Sequence, residues 1–208
     1  MNGVFRIDGP LYRIGNIIYY LIVTNILWVI FSLPLFTAGA STTALFYVIG
    51  KVVRDDDVST IKDFWKSFKL NFKQSTIVWI LMLVIYGIIF INIRNINILG
   101  SMSKFILPVQ IAILIEIVII TIYIFPILSR YEMTTKNLIK TSFFIGNRHL
   151  VTTLLCIASM AAIGGLLYKI PGLFILIPVS LYALCSSYFI QGIFKKYMPD
   201  VEKHEDEE

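Results

Sequence analysis

The sequence predicts an all-α protein, a polytopic membrane helix bundle with five or six hydrophobic segments and one interfacial amphipathic helix. Of its 208 residues, 57% are hydrophobic and 15% are charged, and the mean hydropathy is +0.80. A soluble domain carries about a quarter charged residues. Uncharged runs occur at residues 14–50 and 170–194, among others, and about 20 apolar residues are enough to cross a bilayer.

The hydrophobic segments are predicted at about residues 14–36, 38–53, 75–93, 104–130, 149–168 and 170–194. Together they form one membrane domain over residues 1–208, with short loops and an acidic tail at 198–208. Segment 38–53 is the shortest, at about 24 Å. We expect it either to cross a locally thinned bilayer or to lie as a re-entrant or interfacial helix. Residues 131–148 are predicted to be a basic loop.

The distribution of Lys and Arg predicts the orientation. If segment 38–53 crosses, both termini face one side, and only Arg94, Lys104 and Lys169 of the 18 basic residues face the other. Loops in the cytoplasm are enriched in Lys and Arg. The sequence therefore predicts a multi-pass protein of the cytoplasmic (inner) membrane with both termini in the cytoplasm. Five crossings with an external N-terminus give a weaker bias.

The residues predict a protein that is not an enzyme. The HExxH, GxSxG, Walker and GxGxxG motifs are absent from the sequence. Cys156 and Cys185 lie within hydrophobic segments and are interpreted as small packing residues. We therefore expect no catalytic residue, no cofactor and no metal. The bilayer is the predicted partner, and nucleic acid is not expected because the basic residues follow membrane topology.

Glu116 is the one charged side chain deep inside a predicted segment. A carboxylate at the centre of a bilayer costs about 2.5–3.5 kcal/mol on insertion scales, so it is expected to face protein or water. It has two interpretations. One is a site for a proton or for substrate coupling. The other is a buried hydrogen bond between helices, with Asn25 in the first segment as the candidate partner.

The segment from Thr37 to Ala44 consists of small or hydroxylated residues and begins shortly after Pro34. Small residues let helices approach closely, whereas a broken helix beside a cavity leaves backbone groups free to bind a solute. A tight hairpin between two helices is the favoured interpretation, and a ligand site is the alternative. The candidate residues are Thr37, Gly39, Ser41, Thr42 and Thr43.

Residues 58–73 are predicted to form the amphipathic helix, with Thr60 and Asp63 as a capping box. Lysines occupy one side of this helix and aromatic residues the other. The aromatic residues are Phe64, Trp65, Phe68 and Phe72. We expect the helix either to lie on the cytoplasmic leaflet with its lysines toward anionic headgroups, or to dock into a cytoplasmic partner such as a transporter subunit.

Several stretches of the sequence resemble the YesL family of bacterial membrane proteins. They are DGPLYR at residues 8–13, SLP at 32–34, TAGASTTAL at 37–45, and FWKSFK at 64–69 followed by Asn71 and Phe72. The similarity covers essentially the whole chain. Genes of this family often lie beside sugar ABC importers and polysaccharide-degrading enzymes. The resemblance therefore implies a setting in carbohydrate uptake and supplies no mechanism.

These observations lead to two functional hypotheses. The first is a non-enzymatic accessory or regulatory component of carbohydrate uptake, which contacts subunits of a sugar ABC transporter through the aromatic face of residues 64–72. The second is an autonomous carrier or channel for small solutes that uses Glu116 and the break at 37–44. The first predicts sensitivity to changes in the aromatic face, and the second predicts sensitivity to loss of the carboxylate.

Overall fold

The computed structural model describes residues 10–197, and this part of the chain is helical without strands. The helices are α1 (Pro10–Ser32), α2 (Ala38–Arg54), α3 (Thr60–Arg94), α4 (Ser103–Arg130), α5 (Thr135–Arg148), α6 (Leu150–Lys169) and α7 (Pro178–Tyr197). Five of them are long and apolar enough to cross a membrane, namely α1, α2 with the turn before it, α3, α4 and α6. The predicted all-α bundle of membrane helices is confirmed.

Proline separates the first two helices. Pro34 has no amide hydrogen and restricts the residue before it, so α1 stops at Ser32 and a short 3-10 turn, Leu35–Thr37, leads into α2. At its other end α2 ends at Arg54. The next residue, Asp55, has a left-handed φ of 60°, and its amide donates to carbonyls of the last turn. The result is a separate helix of 17 residues, close to the predicted segment 38–53.

Helix α3 joins two elements that the sequence predicts as separate. The amphipathic helix 58–73 and the segment 75–93 form one continuous helix of 35 residues, about 52 Å long. Neither Gly nor Pro occurs between Thr60 and Tyr86, so nothing in the backbone stops the helix where its composition changes from basic to apolar. The predicted boundary near residue 74 is therefore corrected to a position inside a helix.

The predicted basic loop at 131–148 contains helix α5. Thr134 caps its N-terminus, since the side-chain oxygen accepts a hydrogen bond from the amide of Asn137 at 3.4 Å. Its buried residues recur at helical spacing and are Leu138, Ser142, Ile145 and Gly146. The loop prediction is wrong. The polar and charged residues lower the mean hydropathy of this stretch, but its few buried residues still recur with the period of a helix.

The last predicted segment, 170–194, is not a single helix. Residues Pro171–Ile175 form a 3-10 turn, and α7 starts only at Pro178. A proline suits the first turn of a helix because the amide hydrogen it lacks would have no partner there. Among the described helices, α7 is not one of the five that are long and apolar enough to span by themselves.

Helix α2 lies at the centre of the bundle and packs against α1, α3, α4 and α7, while α5 packs along α4 and α6 pairs with α7. Its apolar residues at these contacts are fully buried, and they are Ala44, Leu45, Val48 and Ile49. The outer faces of α3, α4 and α6 instead expose large apolar side chains, such as Phe90, Phe105 and Leu154. Such faces suit contact with lipid acyl chains.

Candidate functional site

The hydroxyl groups of the Thr37–Ala44 segment bond to the nearby backbone. Thr37 Oγ1 donates to the carbonyl oxygens of Phe31 and Pro34, at 2.5 and 2.7 Å. Three further hydroxyls donate to the carbonyl oxygen four residues earlier, those of Ser41 at 3.2 Å, Thr42 at 2.7 Å and Thr43 at 3.0 Å. This pattern is common for Ser and Thr inside helices, where it satisfies the hydroxyl group without a ligand.

Gly39 lies at a very close approach of α2 to α3. A Cβ atom at this position would lie 2.5 Å from Trp79 Cβ and 2.6 Å from the carbonyl oxygen of Ser75. One turn further along α2, Thr43 Oγ1 and Ser75 Oγ lie 2.8 Å apart. Small residues at a helix interface let two backbones approach in this way. These contacts support the tight helix packing of this segment over a solute site.

Two tryptophans donate hydrogen bonds to α2 and to the turn that precedes it. Trp28 Nε1 on α1 donates to Thr42 Oγ1 at 3.0 Å, and Trp79 Nε1 on α3 donates to the carbonyl oxygen of Leu35 at 2.8 Å. The indole N–H groups thus find partners that an apolar surrounding would deny them. Trp79 thus joins α3 to the turn after Pro34, and Trp28 joins α1 to α2.

Asn25 joins the middle of α1 to the start of α7 and is fully buried. Its Nδ2 donates to the carbonyl oxygens of Phe174 and Ile175, at 3.1 and 2.8 Å. Its Oδ1 accepts from the amides of Val179 and Ser180, at 3.0 and 3.2 Å. The first amides of a helix have no partner within the helix, and Asn25 supplies one. Its two N–H donors and both acceptor positions on its oxygen are therefore in use.

Glu116 bonds to α5 and not to Asn25. Asn147 Nδ2 donates to Glu116 Oε2 at 3.0 Å, and the glutamate side chain is partly buried. Asn147 lies in the last turn of α5, so the carboxylate faces a polar helix end. This arrangement fits the expectation that a charged side chain in a membrane helix faces protein. Asn147 was missed because it lies in the predicted loop, and nothing in the sequence relates the two positions.

The predicted aromatic face of α3 is divided between the core and the surface. Phe64 and Phe68 are buried, and their ring centroids lie 5.6 and 5.1 Å from that of Phe31 on α1. Trp65 and Phe72 remain 44% and 38% exposed. Packing against α1 covers one side of this face, so the exposed aromatic surface is narrower than predicted.

The exposed part forms a basic-aromatic stripe, which we define as Ile61, Trp65 and Phe72 with the flanking lysines. The three apolar residues are four and seven positions apart, a spacing that places them on one side of a helix. The lysines beside them are exposed, and they are Lys62, Lys66, Lys69 and Lys73. Lys69 Nζ lies 5.5 Å from the ring centroid of Trp65, within range of a cation–π interaction.

Two bacterial proteins are similar to this chain over most of its length. The family model described as "Protein of unknown function, DUF624" matches residues 21–93, which run from α1 to the end of α3. "Uncharacterized protein YteU" of Bacillus subtilis (strain 168) is 30% identical over 189 residues, covering 87% of this chain and 82% of the relative. "Uncharacterized protein YesL" of the same organism is 25% identical over 147 residues, covering 67% and 68%. No solved structure matches.

Proposed function

Because the chain belongs to the YesL-like family of membrane proteins with a DUF624 region, we propose that it is a non-enzymatic accessory or regulatory component of bacterial carbohydrate uptake. It acts by contact with a sugar transporter in the cytoplasmic membrane. The setting in carbohydrate uptake comes from the family resemblance. The mode of action comes from the distribution of polar and exposed side chains in the bundle.

The observation that carries this proposal is the contrast between the polar residues inside the bundle and the exposed stripe on α3. The hydroxyls at 37–43 bond to backbone carbonyls, and two of them also bond to the side chains of Trp28 and Ser75. The amide of Asn25 bonds to the backbone around α7. Polar groups whose hydrogen bonds are already made within the bundle are not free to bind a solute. The basic-aromatic stripe, in contrast, has no partner on its exposed side within the described chain.

The stripe fits a partner helix of opposite charge. Aromatic side chains such as Trp65 are enriched among residues that dominate binding energy, and the neighbouring lysines attract acidic residues that flank an apolar helix face. We therefore assign the occupant as a helix with acidic side chains in a membrane subunit of a sugar ABC importer. The competing arrangement places the same lysines on anionic headgroups, without a protein partner.

Trp65→Ala is the variant that tests the transporter contact. We expect it to reduce co-purification of the importer's membrane subunit about tenfold, since an anchor aromatic residue contributes more than 1 kcal/mol to an interface. The measurement is quantitative mass spectrometry of the tagged full chain, purified from native membranes in mild detergent. Phe105→Ala on α4 is the matched control, because that ring is 80% exposed on an apolar helix. An equal yield of importer subunit with Trp65→Ala would contradict the proposal.

One observation favours the carrier hypothesis. The hydrogen bond from Asn147 to Glu116, at 3.0 Å, links α5 to α4. A carboxylate with a polar partner inside a membrane protein is a candidate proton site. If the protein is an accessory component, Glu116→Gln retains function, because the glutamine carbonyl oxygen still accepts from Asn147. Sugar uptake in a deletion strain complemented with the variant measures this. Loss of uptake at a normal protein level would favour the carrier.

A further inference from the structure

Four side chains form a membrane-edge cluster at the junction of α5 and α6, next to the C-terminus of α7. They are Arg148, His149, Lys196 and Tyr197. The ring centroids of His149 and Tyr197 lie 5.4 Å apart. The guanidinium carbon of Arg148 and Nζ of Lys196 lie 5.8 and 5.6 Å from the same Tyr197 centroid. Two cations are thus gathered around one aromatic ring.

Several charged and polar groups of this cluster lack an ion-pair or hydrogen-bond partner in the described part of the chain. Within residues 10–197, the ion pairs are formed by other residues, and no carboxylate neutralises Arg148 or Lys196. His149 Nε2 and the Tyr197 hydroxyl are buried and have no hydrogen-bond partner in this part of the chain. A buried polar group without a partner costs about 1–3 kcal/mol, and native proteins contain few of them. An anion beside Arg148 and Lys196 would offset the repulsion between their charges.

The position of the cluster indicates where such an anion comes from. His149 immediately precedes Leu150, the first residue of a helix that is apolar enough to cross a membrane. Lys196 lies in the last turn of α7. Cationic side chains at the end of a membrane helix lie near the lipid headgroups, where phosphate is the common anion. The planar guanidinium of Arg148 matches the geometry of a phosphate group.

We propose that the membrane-edge cluster binds a phosphate-bearing anion, with Arg148 and Lys196 as the cationic contacts. The source is either the headgroup of an anionic phospholipid or a free phosphate. This site is separate from the basic-aromatic stripe on α3 and does not depend on the transporter contact.

The pKa of His149 is expected to change when an anion binds to this cluster. Burial lowers the pKa of His149, and the neighbouring charges of Lys196 and Arg148 lower it further. The imidazole is therefore neutral at pH 7. A bound anion offsets the two positive charges, so the pKa of His149 rises when the site is filled.

Native mass spectrometry of the full chain in mild detergent tests the proposal, with phosphatidylglycerol and phosphatidylcholine as the two lipid probes. We expect selective binding of phosphatidylglycerol by the wild type and a binding constant at least tenfold weaker for Arg148→Gln/Lys196→Gln. Lys136→Gln/Lys140→Gln is the matched control. It removes the same charge from exposed lysines of α5 outside the cluster, and we expect its affinity to stay within twofold of wild type.

A second arm distinguishes the two sources and does not depend on the double variant. Inorganic phosphate is titrated into the wild type while the NMR signal of His149 is followed across pH. If inorganic phosphate raises the pKa of His149, the ligand is assigned as a free phosphate. If phosphatidylglycerol raises this pKa and inorganic phosphate does not, the ligand is assigned as a lipid headgroup. If neither probe moves this pKa, or if both double variants bind phosphatidylglycerol as the wild type does, the proposal is wrong.

Discussion

Replacing Asn25 with leucine is expected to lower the free energy of unfolding by about 3 kcal/mol or more. The change removes four hydrogen bonds at once, two to the turn before α7 and two from its first amides. Each buried backbone group left without a partner costs about 1–3 kcal/mol, and leucine offers no hydrogen-bonding group to replace the amide. Unfolding of the purified protein by SDS titration measures the loss.

Asn16→Leu is the matched control for this change. Asn16 lies on the same helix, is partly exposed, and has no side-chain hydrogen bond within the described chain. The same substitution there adds apolar surface without removing a contact, so we expect a change within about 0.5 kcal/mol, as at ordinary surface positions. Equal destabilisation by the two variants would refute the structural role assigned to Asn25.

The second large effect is expected at Gly39. A methyl group on this residue would lie 2.5 Å from Trp79 Cβ and 2.6 Å from the carbonyl oxygen of Ser75. The second of these atoms belongs to the backbone of α3, which cannot turn away as a side chain can, so α2 and α3 must separate. We expect Gly39→Ala to cost about 3 kcal/mol, at the upper end for overpacked cores. The midpoint of thermal unfolding in detergent measures it.

Gly87→Ala separates this steric effect from helix propensity. A Cβ at Gly87, also on α3, meets nothing within 4 Å. Alanine is favoured over glycine in a helix by about 1 kcal/mol, so the control variant is expected to be neutral or slightly more stable. A Gly39→Ala protein as stable as Gly87→Ala would show that the two helices are not in close contact at this point.

The pattern of apolar residues predicts the membrane helices well, because burial in lipid demands long uncharged runs whatever the fold. Helix α2 is an example: its bounds, Ala38–Arg54, lie within one residue of the prediction. The helix in residues 135–148 was not predicted because its polar and basic residues lower the mean hydropathy of the stretch. The spacing of Leu138, Ser142 and Ile145 was the signal that could have found it.

The candidate polar residues could be located in the sequence, but their partners could not. Asn25 and Glu116 both lie as polar groups within apolar runs, and the sequence therefore suggests that they pair. In the structure Asn25 instead forms hydrogen bonds with the backbone of residues 174–180, and Glu116 accepts a hydrogen bond from the side-chain amide of Asn147. Such pairs join positions far apart in the chain, and no local pattern encodes which helices become neighbours.

The sequence alone determined that this is a helical protein of the membrane, since hydropathy and helix periodicity are local properties of the chain. It also located the small residues around Gly39 and the aromatic residues of α3. What these residues do depends on how the helices pack. Contact with α1 buries Phe64 and Phe68, whereas Trp65, whose ring centroid lies 5.4 Å from that of Phe31, stays 44% exposed. The side of a helix that meets a neighbour depends on the packing of the whole bundle.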